Sequence, residues 1–141
     1  MKILLAVDGS KHSLKAVKQL IRQARAFARR PRVELLTVRP PVPKLPNMKL
    51  VVGATQLRRY YEEEGSAALS RAKKLLSAAR LPYAARILIG DIADTIVREA
   101  QRTGCDFIMI GNRGMTAAAN LLLGSTATKV LHASTLPVMV V

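Results

Sequence analysis

The sequence predicts an α/β fold, an open five-stranded parallel sheet with helices on both faces. Five short apolar-rich runs, at residues 2–7, 33–38, 83–89, 106–110 and 138–141, read as strands. Stretches of helical periodicity alternate with them, and that alternation argues a parallel sheet covered on both sides. The chain has 141 residues, the length of one domain, and two would be cramped. Half of it is apolar, which excludes a disordered chain.

The first run is apolar on consecutive positions, as a strand buried on both faces requires, and Asp8-Gly9-Ser10 ends it. Ser10 is an N-cap residue. The helix it opens is expected to reach about Ala28, because Leu14, Val17, Ile21, Ala24 and Ala28 draw one stripe. After the second strand, prolines at 40, 41, 43 and 46 exclude a regular helix or a central strand. A long surface loop from residue 39 to about 54 is expected, of the kind that usually carries function.

The second helix is read over Thr55–Ala79, with Arg58/Glu62 and Arg59/Glu63 spaced i,i+4 and Leu69, Ala72, Leu75 and Leu76 facing inward. Gly65 weakens its middle by about 1 kcal/mol relative to Ala, so a break is possible there. The strand at 83–89 leads to a helix from Asp91 to about Arg102, stopped by Gly104. A glycine-containing loop follows the 106–110 strand. A helix from about Ala119 to His132 comes next, and Pro137 introduces the last strand.

Composition bounds the partners. The chain carries 23 Lys and Arg against nine Asp and Glu, a net +14 that favours anionic ligands. The lone Cys105 excludes an intramolecular disulfide framework, fits a reducing compartment, and reads as a buried structural thiol. No apolar stretch approaches the ~18 residues of a membrane span, and the first run is too short for a signal peptide, so the cytoplasm is expected.

Ligands of such sheets bind beyond the carboxyl ends of the strands, where strand order reverses. At one of those ends stands Gly111-Asn112-Arg113-Gly114, then nine residues, then Gly124-Ser125-Thr126. Glycines directly after a strand let the backbone approach a ligand. Gly124, Ser125 and Thr126, at or near the first turns of the last helix, offer amides and hydroxyls to a phosphate, and Arg113 offers a guanidinium fork. By this chemistry alone the loop reads first as a tight turn, since glycine loops are common.

The spacing G-x2-G-x9-G-[ST] resembles the nucleotide-binding motif of the universal stress protein family. The resemblance runs along the chain, through Ile3–Ser10, Thr37-Val38, Gly90–Ala93, Leu122–Ser125 and Pro137–Val141. It implies a Rossmann-like fold of the adenine nucleotide α-hydrolase type and an ATP-binding stress-response protein, cytoplasmic and homodimeric. Carried over, Asp8 faces the ribose and adenine end, with Ala6 and Val7 beside it, and Val38 meets the base through its backbone. Gly111, Arg113, Gly114, Gly124, Ser125 and Thr126 cradle the phosphates of ATP, ADP or AMP. Mg2+ or Mn2+ is held mainly by phosphate oxygens, and Val138–Val141 pairs across the dimer axis. The role implied is nucleotide-dependent regulation of partner binding, with hydrolysis slow or absent.

Other signatures are missing from the sequence: there is no G-x-G-x-x-G after the first strand, no G-x-x-x-x-G-K-[ST] and no G-x-S-x-G. Only His12 and His132 are present, so zinc and triad readings have little support. One alternative is a slow ATPase in which Asp8 or His12 orients water. Another lies in Lys11, Lys15, Lys18, Arg22, Arg25 and Arg29, which form one helical stripe extended by Arg30 and Arg32. That stripe reads first as a solvated face, since the chain lacks clustered aromatics for base stacking; nucleic acid or anionic lipid is its alternative partner.

Overall fold

Ile3, Leu4 and Leu5 have no exposed surface at all, so the strand they form must be covered on both faces and both edges. The computed structural model describes residues 1–43, 53–113 and 123–141. It does this with nine elements: β1 (Lys2–Ala6), α1 (Lys11–Ala24), β2 (Arg32–Arg39), α2 (Ala54–Ala78), β3 (Tyr83–Ile89), α3 (Ile92–Arg102), β4 (Phe107–Ile110), α4 (Ser125–Ala133) and β5 (Val138–Val140). The sheet is wholly parallel, in the order β3-β2-β1-β4-β5.

Alternation along the strands makes two cores. Ile3, Leu5, Val33, Leu35 and Met109 meet Leu14, Val17 and Leu20 of α1 and Leu69, Ala72 and Leu76 of α2. Leu4, Ala6, Leu36, Val38, Ile108 and Ile110 meet Ala93, Ile96 and Ala100 of α3 and Ala127 and Val130 of α4. Cys105 is buried in the second core, and burial pushes its thiol pKa up, so it is structural. Among the described residues no helix is long and apolar enough to cross a membrane.

Three expectations need correction or refinement. Helix α1 stops at Ala24, four residues before the stripe suggests. Ala28 is exposed, whereas Phe27 turns back onto the core and Pro31 is buried, so the chain has to leave the helix to reach β2. Helix α2 runs unbroken through Gly65, where a Cβ would meet Ile87 Cγ2 at 2.5 Å. Gly65 therefore lets α2 lie close on β3. Helix α4 begins at Ser125, capped by Gly124; the expected start at Ala119, the rest of 114–122 and loop residues 44–52 lie outside the described residues.

The end of the sheet remote from the carboxyl termini of the strands is tied by charge. Lys2 Nζ lies 2.9 Å from Glu34 Oε1 and donates to the Thr103 carbonyl at 2.8 Å. Arg102 donates from Nε to Glu99 Oε2 at 2.8 Å and from Nη2 to Oε1 at 2.7 Å, while Arg86 stands 3.6 Å from Glu99 and 3.7 Å from Glu34. The hydrogen bonds from Arg102, aided by the charges of Arg102, Arg86 and Lys2, hold the Glu99 carboxyl below its ordinary pKa despite its burial.

A depressed carboxyl stabilises the fold above its unfolded pKa and loses that contribution as pH falls through the folded one. Glu99→Gln should therefore cost about 1–2 kcal/mol in urea unfolding at pH 7. The gap from wild type should close as pH drops below the ordinary carboxylate range; a gap that stays constant well below that range would show that Glu99 acts through packing alone.

Candidate functional site

The strand order reverses between β1 and β4, and their exits diverge to opposite sides. Val7 stays tied to β2 by its N–H on the Leu36 carbonyl (2.9 Å). Asp8 Oδ1 accepts the Ser10 N–H at 2.9 Å, and Ser10 Oγ accepts the Ser13 N–H at 3.1 Å, which starts α1. Gly9 has φ +84°, and a Cβ added there would lie 3.1 Å from the Ala68 Cα, a turn and an approach that suit glycine.

At the β4 exit, Gly111 is buried against the first turn of α1. A Cβ there would lie 2.8 Å from the His12 carbonyl carbon and oxygen. The missing side chain therefore makes room for a helix backbone, a packing reason for glycine that the sequence reading assigned to a ligand. Asn112 joins two neighbours: its N–H donates to the Val141 carbonyl and its carbonyl accepts from Gly124 N–H, both at 2.7 Å. Asn112 Oδ1, Arg113 Nε and His12 Nδ1 are buried atoms without a hydrogen-bond partner among the described residues.

A cavity of about 420 Å³ opens beside this junction. The first turn of α4 supplies Ser125 and Thr126, with Lys129 one turn on. Opposite stand Pro40 and Pro41 from the β2 exit, and Gly90, Asp91, Ile92 and Ala93 from the turn into α3. Gly124 leaves its helix start without a side-chain cap, so the first amides of α4 have no side chain of their own to satisfy them. Asp91 is engaged as the N-cap of α3, its Oδ1 accepting the Asp94 N–H at 3.1 Å.

Of the residues expected from sequence, Ser125 and Thr126 share this cavity. Ala6 and Val38 are buried in the core beneath the same two helices. Val7, Asp8, Gly111 and Arg113 belong to the β1 and β4 exits and do not line the cavity, and Gly114 is outside the described residues. Lys129 was missed, although its i+4 spacing from Ser125 places it on the same helix face. Among the described residues no cluster of three or more His, Cys, Asp or Glu could hold a metal ion.

The universal stress protein family model matches residues 1–141. Universal stress protein MJ0531 of Methanocaldococcus jannaschii is 32% identical over 141 residues, covering 99% of this chain and 81% of its own. The solved structure of hypothetical protein MJ0577 superposes with a TM-score of 0.82 at 28% identity, over 99% of this chain and 94% of that one. A universal stress protein family protein from Arabidopsis thaliana, solved with AMP bound, has the same fold. Its TM-score is 0.72 at 19% identity, with 100% and 90% of the two chains covered.

The packing role of Gly111 has a direct test. Gly111→Ala forces a methyl into the first turn of α1 and should destabilise the apo protein by about 1–3 kcal/mol. An unchanged urea midpoint would show that the α1 contact does not require glycine.

Proposed function

The chain belongs to the universal stress protein family, and from that premise we propose that it binds an adenine nucleotide, ATP or its ADP and AMP relatives. The observation that carries the reading is the cavity at the start of α4, where Ser125 and Thr126 of the G-x2-G-x9-G-[ST] pattern lie beside uncapped helix amides and Lys129. Its volume, about 420 Å³, falls within the ~300–1,000 Å³ range of small-molecule sites. A helix N-terminus, two hydroxyls and an ammonium suit a phosphate chain. The AMP held by the Arabidopsis protein of the same fold supports an adenine nucleotide as the ligand.

The base would lie toward Val38, Ala6 and Val7, with Asp8 at the ribose. Gly111, Arg113, Gly114 and Gly124 would shape the phosphate loop. Arg113 Nε and Asn112 Oδ1, buried and without partners among the described residues, are available polar atoms beside that loop. A divalent ion, Mg2+ or Mn2+, would be held by phosphate oxygens. Hydrolysis is slow or absent in this reading, because the acid at the cavity, Asp91, is already committed to capping α3. Nucleotide occupancy would then set a state that partners read in the cytoplasm, during a stress response.

The same reading includes a homodimer through β5. Ile108 N–H donates to the Pro137 carbonyl and Val141 N–H to the Ile110 carbonyl, so the parallel ladder turns Met139 toward β4 and the N–H groups of Val138 and Val140 toward the open edge. An apolar edge with free donors suits pairing with its own copy across a two-fold axis.

Ser125→Asp separates the site from the fold. A carboxylate in the first turn favours the helix by about 0.3–1 kcal/mol but repels phosphate. ATP affinity by calorimetry should fall at least about tenfold, ~1.4 kcal/mol, with no loss of stability. Gly124→Val should likewise weaken ATP binding, and unchanged affinity in both folded variants would remove the phosphate assignment. For the dimer, Val140→Pro deletes an outward donor and spares the β4 ladder. Sedimentation should show a dimer for wild type and a monomer for the variant; a dimer in both would move the interface elsewhere.

A further inference from the structure

The outer surface of α1, the residues just beyond it and the second half of α2 carry about half of the chain's 23 Lys and Arg, and the nucleotide reading uses none of them. On α1, Lys11, Lys15, Lys18 and Arg22 are all exposed. Beyond the helix end Arg25, Arg29, Arg30 and Arg32 are exposed as well, so the charge outlasts the helix. Helix α2, which shares a core with α1, adds exposed Arg71 and Lys74 and half-buried Lys73, and Arg80 follows it. Arg30 Nη1 donates to the Arg80 carbonyl at 3.0 Å, which joins the ends of the two helices into one surface.

Acids are missing from the same segments. Residues 9–33 and 65–90 contain no Asp or Glu. The ion pairs among the described residues involve Lys2, Arg39, Arg59, Arg86 and Arg102, none of them on this surface. A face kept merely solvated mixes signs, as the exposed Asp94, Arg98 and Arg102 of α3 do. Helix α1 has no acid even in its first turn, where one would favour the helix, and carries Lys11 there instead. Positive charge is thus placed against the local preference of the helix.

We propose that this face binds the phosphate backbone of a nucleic-acid duplex without reading its sequence. The inference is independent of nucleotide binding at α4. From Lys11 to Arg22 the helix advances about 16 Å, a length along which a duplex presents roughly ten phosphate charges. Bases have nothing to stack on, because Phe27 and Tyr83 are packed against the core. Helices that enter a bilayer surface present large apolar side chains, and the exposed ones among the described residues, Met1, Val42, Tyr60, Ile89 and Leu131, lie outside α1 and the second half of α2.

The test is fluorescence anisotropy with a labelled 20-base-pair DNA duplex of mixed sequence. Wild type should bind with log affinity falling against log salt at a slope of about −4, a loss of a few hundredfold between 50 and 200 mM KCl. Lys15→Glu with Arg22→Glu should weaken binding at least tenfold at 100 mM KCl and flatten the slope by about 2. Arg71→Glu with Lys74→Glu should do the same. Arg58→Glu with Arg98→Glu, the same change of net charge placed off the face, should stay within twofold of wild type. Equal losses in all three pairs would make net charge the cause and overturn the proposal. So would wild type failing to bind at 50 mM KCl, unchanged binding in either face pair, or tighter capture by phosphatidylserine vesicles than by the duplex.

Discussion

A strand with no exposed surface needs two helical layers and two neighbouring strands, and β1 imposes that demand on the whole chain. Its odd residues, Ile3 and Leu5, call for α1 and α2, and its even residues, Leu4 and Ala6, call for α3 and α4. Filling both edges forces the chain to cross from β3 back past β1 to lay down β4. That crossing parts the exits of β1 and β4 and brings the starts of α3 and α4 together over the β2 exit. The position of the cavity follows from covering β1, before any ligand is considered.

Charge is divided along the same plane. Beneath α3, the buried carboxyls of Glu34 and Glu99 recruit Lys2, Arg86 and Arg102, and their mutual attraction fixes α3 on the sheet. Three further acids, Glu62, Glu63 and Glu64, cluster in the first half of α2. Twelve of the 23 Lys and Arg lie on α1, just beyond it, on the second half of α2 and at Arg80, in segments without an acid. Most of the net charge of +14 is therefore an excess on one layer, while the cavity opens on the other.

The strands and helix stripes were legible because burial on both faces and the 3.6-residue period leave direct marks on residue order. Ser10 was legible as a cap and Asp91 as a helix start because their side chains act within three residues. Contacts between elements left weaker marks. Gly65 read as a weak point because propensity knows nothing of Ile87, and the packing of Gly111 on the backbone of His12 has no sign in its sequence neighbours. The end of α1 was misplaced because Ala28 fits the stripe equally well in water or in a core, whereas Phe27 has a strong reason to turn inward. At the site, the hydroxyls of Ser125 and Thr126 were marked by spacing. Lys129 is one lysine among many until α4 aims it at the same cavity.

The strand order also sets a timetable. The residues of β1 leave the ribosome well before those of β4, which covers one of its edges and pairs Phe107 with Ile3. At about 5–20 residues per second, β1, β2 and β3 are complete for roughly one to four seconds before β4 has been made. During that interval a strand buried on both faces in the finished fold stands at the rim of a half-built sheet, with the backbone groups of its β4 side unpaired. That is the moment at which the nascent chain is most open to pairing with a neighbour, and a fold that places its first strand at its centre carries this exposure in every round of synthesis.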